Sequence, residues 1–158
     1  MNRRQIALKL VLEELEISSQ MKTFDERLIL QKTVYLAQQK GITLGYHYSW
    51  YLHGPYCRDL TADAFATRSE IPAGWFLDEP SKSILAELKA FFSTFKKDKA
   101  RRFEMLGSVL FAIKTGQAKA SDTPKITKLM KDAGKNFSEQ EVNETVKTLQ
   151  SKGFIQAA

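Results

Sequence analysis

The apolar residues of this chain recur mainly at the spacing of amphipathic helices. Leu8, Val11, Leu12 and Leu15 occupy the i, i+3, i+4 and i+7 positions of one helix face, and they predict a first helix over residues 3–18. The same periodicity, together with capping residues and terminal glycines, predicts the later helices. Six later helices are predicted. The second extends from the TFDE capping box at Thr23 to Lys40, the third covers about 55–68, and the fourth covers about 80–97. The fifth extends from Phe103 to Gly116, the sixth begins at Asp122 or Thr123, and the seventh extends from the capping box at Ser138 to Gly153.

Residues 46–53 depart from this helical pattern. In the stretch YHYSWYLH, the aromatic and apolar residues at even-numbered positions alternate with the residues between them, which is the period-two pattern of a short strand. Gly54 and Pro55 end this stretch, and Pro55 suits the first position of the following helix, where its missing N–H costs nothing. We therefore predict an all-α domain of six or seven helices with a small β-hairpin or strand insert.

The C-terminal part of the chain has an outline of its own. After the polar segment GQAKASDTP, residues 122–156 read as a helix, a short turn, a second helix, and then a glycine followed by an apolar FIQ strand. This order is typical of half a winged helix, although many domains that do not bind DNA share it. Because 158 residues suit one core, we predict a single domain over residues 1–158.

The apolar faces of the predicted helices identify a set of core residues. The second helix carries apolar residues on more than one face, so we expect it to be the most buried. The residues predicted to be mostly buried are Leu30, Val34, Leu36, Leu60, Phe65, Leu88, Phe92, Leu106 and Leu110.

Composition narrows the class of protein. Hydrophobic residues make up 43% of the chain and charged residues 27%, and no apolar run approaches the ~20 residues that span a bilayer. Charged residues interrupt the first helix, which argues against a signal peptide. Cys57 is the single cysteine, so no internal disulfide can form, and we predict a cytoplasmic location. One cysteine and two histidines are too few for a Cys/His zinc site, so no metal or cofactor is predicted.

The net charge of +6 is concentrated in the second half of the chain. Residues 80–158 hold 15 Lys and Arg against 8 Asp and Glu, whereas residues 1–79 are nearly neutral. Such asymmetry indicates either an anionic partner or an ordinary solvated helix face. One hypothesis is therefore a nucleic-acid-binding regulator that uses the winged-helix-like unit. Its expected phosphate contacts are Arg101, Arg102, Lys125, Lys128 and Lys131.

No enzyme signature accompanies these features. The chain lacks a G-x-S-x-G elbow, a phosphate-binding loop and an H-E-x-x-H helix. The best catalytic pairs would be Cys57 with His53, or His53 with Asp59, but no third orienting group is evident. Asp63 is expected to be solvated or to pair with Arg58 or Arg27. We therefore predict no catalytic residues.

The tyrosines are clustered, because all five lie between Tyr35 and Tyr56. Tyrosine and tryptophan rings can stack on unpaired bases, or they can anchor a protein interface. They can also simply pack a core, and we expect this for at least three of the five tyrosines.

One stretch of the chain resembles a known family. The segment LQKTVYLAQQKGITLGYHYSWYLHGPYCRDLTADA, within a core signature of residues 24–68, is similar to the YwgA-type domain and to SocA-like (Panacea) antitoxin domains. The C-terminal half is more loosely similar to the C-terminal domain of DarG-type antitoxins. The residues that match the signature are Leu30, Gln31, Lys32, Tyr35, Leu36, Gln38, Gly54, Pro55, Tyr56 and Leu60.

This resemblance implies a function of its own. It implies a non-enzymatic binding domain of antitoxin or phage-defence type, which neutralises a partner protein (a toxin or another defence protein) by direct contact. It also implies that the Gly-Pro-Tyr turn is a signature of the fold, with the recognition face beside it. The residues expected to bind the partner are Tyr51, His53, Gly54, Pro55, Tyr56 and Arg58.

Overall fold

The computed structural model describes residues 1–157, and within them it contains seven helices and one two-stranded antiparallel hairpin. The predicted all-α architecture with a small hairpin insert is therefore confirmed. The elements are α1 (Arg3–Leu15), α2 (Phe24–Gln39), β1 (Ser49–Tyr51), β2 (Gly54–Tyr56), α3 (Arg58–Ala66), α4 (Glu79–Phe92), α5 (Lys99–Lys114), α6 (Thr123–Asp132) and α7 (Glu139–Ser151).

Helices α2 and α5 form the centre of the molecule. Residues 30–37 of α2 and 106–112 of α5 are buried without interruption, and the two helices pack against each other. On one side α1 packs against α3 and α4, and on the other α6 and α7 pack against each other and against α5. Nearly all of the buried apolar residues form one continuous cluster with members in all seven helices. None of the helices in the described part of the chain combines the length and apolar composition needed to cross a bilayer.

Most helices begin where short polar side chains predict a beginning. The side chains of Thr23, Asp122 and Ser138 each accept a hydrogen bond from the backbone N–H three residues later, as N-caps do. The capping box at Ser138 is complete, because Glu141 reaches back to the N–H of Ser138. At Thr23 the box is not closed, since Glu26 accepts from the N–H of Lys22 instead.

The helix predicted over residues 55–68 begins later than expected. Gly54, Pro55 and Tyr56 form strand β2, which pairs with β1 in the register Ser49–Tyr56, Trp50–Pro55 and Tyr51–Gly54. The assignment of Pro55 to the first turn of a helix is therefore wrong. Proline lacks only the N–H donor, and a two-stranded ribbon has a free edge where that donor is not needed. The helix begins at Arg58 after Cys57.

The C-terminal unit contains the two predicted helices, but its winged-helix outline is not confirmed. After α7, residues 152–155 form turns and bends, residues 156 and 157 have no regular structure, and no strand occurs in this part of the described chain. Phe154 is buried there, 6.4 Å from Phe91 between ring centroids, so the segment caps the core with a side chain. The expected FIQ strand is therefore absent from residues 1–157.

The predicted core residues are buried with the exception of Phe65. The prediction for Phe65 is wrong because α3 begins at Arg58 and turns Leu60, Asp63 and Ala64 inward. Phe65 is 52% exposed and lies under the guanidinium of Arg68, at 4.6 Å from its ring centroid.

Candidate functional site at the hairpin

The hairpin lies so close to α5 that only glycine fits at its contact point. Gly54 has a φ of +96°, and a Cβ atom at this position would lie 2.3 Å from Ser108 Oγ and 3.5 Å from Lys32 Cε. Both the left-handed backbone and the missing side chain are therefore required here. The Gly-Pro-Tyr signature positions the hairpin against α5.

Two glutamines of α2 hold the non-helical segment by its backbone. The Gln31 side chain donates to the carbonyl of Cys57 at 2.8 Å and accepts from the N–H of Cys57 at 3.0 Å. The Gln38 side chain makes the same pair of bonds to Tyr46, at 3.0 and 2.9 Å. Each amide therefore replaces the partner strand that an extended segment would otherwise need. Residues 46–57 are fastened to α2 at both ends.

Lys32 supplies a third bond from the same helix. Its side chain is 2% exposed, and Nζ donates to the carbonyl oxygen of Pro55 at 2.8 Å. The pKa of Lys32 is lowered to about 7, first by burial and then by the nearby charge of Lys135, while the charge of Glu104 partly opposes both. The stem of Lys32 passes Gly107 of α5, where a Cβ would lie 2.9 Å from Lys32 Cδ.

Three of the tyrosines pack inward, as the sequence predicts. Tyr35 and Tyr46 are buried, and Tyr48 packs against the core with its ring 5.0 Å from that of Tyr35. The Tyr48 hydroxyl donates to the carbonyl of Gln31 at 3.1 Å, and the Tyr46 hydroxyl donates to Asp63 at 2.8 Å. Burial raises the pKa of all three phenols.

Exposed and partly exposed aromatic and apolar residues surround the hairpin tip. Tyr51 is 59% exposed, Leu52 is 71% exposed and Phe24 is 48% exposed. Tyr51 lies beside Tyr56, with ring centroids 5.4 Å apart, and His53 meets Phe24 edge-on at 4.8 Å. We call these five residues the hairpin face.

The residues predicted to bind a partner divide into two groups. Tyr51, His53 and Arg58 are exposed, and Tyr56 is partly exposed. Gly54 and Pro55 are buried, so they hold the hairpin in place and present no side chain at the surface. The exposed members of the predicted set therefore lie at and beside the hairpin, whereas Gly54 and Pro55 present no side chain to solvent.

A pocket opens between α2, the hairpin and α3. Its volume is about 180 Å³, and Phe24, Leu28, Tyr51 and Tyr56 supply its apolar and aromatic walls. The polar lining comes from Gln31, Lys32, Thr61, Arg27 and His53. The pocket therefore extends from the hairpin face to the buried side chain of Lys32.

The carboxylate of Asp63, near the hairpin, is hydrogen-bonded to residues of α1. Asp63 accepts hydrogen bonds from Arg4 at 2.7 Å and from Gln5 at 3.0 Å, so its predicted pairing with Arg58 or Arg27 is wrong. Burial alone would raise the pKa of Asp63, but the bonds from Gln5, Tyr46 and Arg4 outweigh it and lower the pKa. Asp63 thus connects α3 to α1.

The suggested catalytic pairs are not hydrogen-bonded in the described residues. Cys57 is buried, and His53 Nδ1 lies 3.8 Å from Glu104 Oε1. No hydrogen bond within residues 1–157 joins His53 to Cys57 or to Asp59. Among the same residues, no three His, Cys, Asp or Glu side chains are grouped so that they could hold a metal ion.

The residues predicted to contact nucleic acid also fall into two groups, which differ in their contacts with other side chains. Both carboxylate oxygens of Glu141 accept from Arg101, whose guanidinium lies over the ring of Phe137, and the guanidinium of Arg102 lies over Phe95. By contrast, Lys125, Lys128 and Lys131 are exposed on α6, and within the described chain none of them forms a salt bridge. Of the five predicted contacts, three exposed lysines therefore lie on α6, and Arg102 is exposed on α5.

For some residues of the site, the sequence predicted no structural role. Gln31, Lys32 and Gln38 matched the family signature, but nothing in their spacing predicted that they hold a distant backbone. Lys135 links the hairpin to the C-terminal unit, since its Nζ donates to Glu104 at 2.7 Å and to the Leu52 carbonyl at 3.3 Å. For Gln31 and Lys32 a signal existed, namely two polar residues inside an apolar helical run.

Comparisons of the chain with protein-family models, with curated proteins and with solved structures found no match. The resemblance to YwgA-like and Panacea domains therefore stays a prediction, and the functional argument below starts from the geometry of the hairpin.

Proposed function

We propose that this domain binds a partner protein through the hairpin face and neutralises that partner by direct contact, without catalysis. The observation that carries the proposal is that Phe24, Tyr51 and Leu52 are exposed beside a hairpin whose backbone carbonyls accept hydrogen bonds from buried side chains of α2. Aromatic anchors grouped at one place are characteristic of the energetic centre of protein interfaces. The resemblance to antitoxin domains supports an antitoxin or phage-defence role, and the single cysteine supports a cytoplasmic site of action.

The fastening of the hairpin favours binding energetically. Ordering a loop on association costs free energy, and a contact surface that is already ordered avoids that cost. Gln31, Lys32 and Lys135 each bond a carbonyl of residues 52–57, so the tip is held before any partner arrives. Tyrosine adds large contact area with few rotatable bonds.

The test compares two double variants in capture experiments from the native host. Tyr51→Ala with Leu52→Ala removes the most exposed apolar side chains of the hairpin face. Trp75→Ala with Phe76→Ala is the matched control, because Phe76 is 79% exposed but lies on the α1–α4 side of the molecule. We expect the hairpin variant to retain at least tenfold less partner and the control to retain it fully.

A second measurement addresses neutralisation. The captured partner, expressed alone, should slow growth of the host, and co-expression of the wild-type domain should restore it. The hairpin variant should fail to restore growth, whereas the Trp75 and Phe76 control should succeed. Equal behaviour of the two variants would contradict the proposal.

A second candidate function is nucleic-acid binding by α6. The observation that favours it is the group of three exposed lysines, Lys125, Lys128 and Lys131, which have no acidic partner among the described residues. Three phosphate contacts predict a slope of log K against log salt of about −2 to −3. Filter binding to single- and double-stranded DNA at two salt concentrations tests this. Tight binding that Lys125→Glu and Lys128→Glu abolish would favour this function over the protein partner.

A further inference from the structure

The pocket beside the hairpin is lined by cationic and neutral residues. Lys32, Arg27 and His53 contribute nitrogen donors, and no Asp or Glu is among the lining residues. Glu104, whose charge acts on Lys32, is bound to Lys135 at 2.7 Å and lies 3.8 Å from His53. Its charge is therefore already compensated, and the pocket keeps an excess of positive charge.

The ammonium group of Lys32 has more N–H donors than acceptors among the described residues. An ammonium group carries three N–H bonds, and within residues 1–157 only the carbonyl of Pro55 accepts one from Lys32. A buried charged donor that lacks acceptors is costly, and an anionic acceptor would relieve that cost. Such an anion would also raise the pKa of Lys32 from its value of about 7.

The rest of the pocket suits a small apolar group. Phe24, Leu28, Tyr51 and Tyr56 form its walls, and its volume is about 180 Å³. A cavity of about 150 Å³ lined by apolar side chains accepts benzene. A ring or a short apolar chain therefore fits between these residues while a charged end reaches Lys32.

We infer that this pocket is a carboxylate-binding site, and that the carboxylate belongs to the partner protein, as an acidic side chain or a chain terminus next to an apolar residue. Lys32 binds the carboxylate by a charge-assisted hydrogen bond, and Arg27 and His53 attract it at the entrance. The inference rests on the proposed function, since the pocket opens within the hairpin face. It adds the chemistry by which that face selects its partner.

The first test uses benzoate as the probe and benzamide as its uncharged isostere, in NMR titrations of the 158-residue protein. We expect benzoate to shift the backbone amide signals of Gln31, Tyr56 and Thr61 saturably, with a dissociation constant of about 1–10 mM for so small a ligand. Benzamide should bind at least tenfold more weakly. Equal binding of the two probes, or no binding at these residues, would overturn the inference.

Variants of the pocket cations locate the anion contact. Lys32→Met keeps the length and apolar stem of the side chain, and we expect it to weaken benzoate binding at least tenfold. Arg27→Gln alters an exposed residue, so it keeps the fold even if Lys32→Met does not, and it should weaken benzoate binding about threefold. Lys125→Met on α6 removes the same charge elsewhere and should leave the affinity unchanged. Unchanged affinity in both pocket variants would refute the assignment.

The last test assigns the carboxylate to the partner. At 20 mM, benzoate but not benzamide should release the captured partner from the domain. If benzoate binds the pocket and the partner stays bound, the site serves a small free carboxylate and the assignment to the partner is wrong. If benzoate fails to bind but the Tyr51 and Leu52 variant still loses the partner, the inference fails while the proposed function stands.

Discussion

Two parts of the molecule pack against the same central helix, α5, and are held there by different interactions. The hairpin region, residues 46–57, is fastened by polar side chains of α2 that lie 8 to 26 positions away in the chain. The C-terminal pair α6–α7 is fastened by an apolar stripe, with Ile126, Met130 and Leu149 fully buried. Several of its hydrogen bonds join residues only three or four positions apart, in caps and in bonds such as that from Thr145 Oγ1 to the Glu141 carbonyl.

The difference shows where substitutions are tolerated. An apolar stripe accepts many side chains of similar volume, so α6 and α7 depend on pattern more than on residue identity. Where a single buried amide or amine side chain donates to a backbone carbonyl, few other residues can replace that side chain, because its loss leaves a buried polar group without a hydrogen-bond partner. We therefore expect the hairpin region to be the more sensitive of the two, and the following predictions test that difference.

The largest effect is expected at Gly54. Gly54→Ala combines a left-handed φ with the approach to Ser108 Oγ, and we expect it to lower the free energy of unfolding by about 3–5 kcal/mol. Gly74 has the same φ of +96° but no atom within 4 Å of a Cβ, so Gly74→Ala should cost only about 1–2 kcal/mol. Urea denaturation measures both. Equal costs would mean that the close contact with α5 contributes nothing.

Gln31 is expected to have the next largest effect. Gln31→Leu removes both bonds to Cys57 and leaves its N–H and carbonyl buried without partners, at a cost of about 2–4 kcal/mol. Gln39→Leu, on the same helix but without a side-chain bond to another residue of the described chain, should change stability by less than about 0.5 kcal/mol. A small effect at Gln31 in thermal or chemical unfolding would contradict the proposed fastening.

The buried amine of Lys32 predicts a pH dependence. Its pKa is about 7 in the folded protein and near 10.5 in the unfolded chain, so between these values the unfolded chain binds more protons. The free energy of unfolding should therefore rise with pH, by about 2–3 kcal/mol between pH 7 and pH 9.5.

Lys32→Met supplies the control for this pH dependence. Urea midpoints of the wild type should increase over the interval, and those of the variant should not follow the same rise. A wild-type stability that stays flat or falls from pH 7 to pH 9.5 would show that Lys32 is not a desolvated amine.

The smallest effect is expected in the C-terminal pair. Ser138→Ala removes the N-cap of α7, where Ser138 Oγ accepts from the N–H of Glu141 at 3.1 Å, and we expect a loss of about 1 kcal/mol. Ser138→Asp keeps an acceptor at the cap and should restore most of it. A loss as large as that of Gln31→Leu would remove the distinction between the two regions.

Most elements of the fold could be predicted because their signals are local. The caps at Thr23 and Ser138 depend on residues three positions apart, and the apolar spacing of α2 and α5 already indicates which faces are buried. The change to a period of two near Tyr46 correctly indicated the non-helical segment. The candidate site was predicted only in part: Tyr51 and His53 are exposed at the hairpin tip, but the pocket beside them had no local signal.

Sequence alone thus determined the helical class, the position of the insert and nearly all of the core, because each follows from neighbours within about one turn or one strand pair. Tertiary structure decided that Pro55 pairs in a strand, that Phe65 faces solvent, and that Arg101 is bound by Glu141. It also decided that Lys32 reaches the Pro55 carbonyl, 23 positions away. The physical reason is that these contacts depend on how α2, α5 and the hairpin pack together, and residues far apart in the chain meet only after that packing has formed.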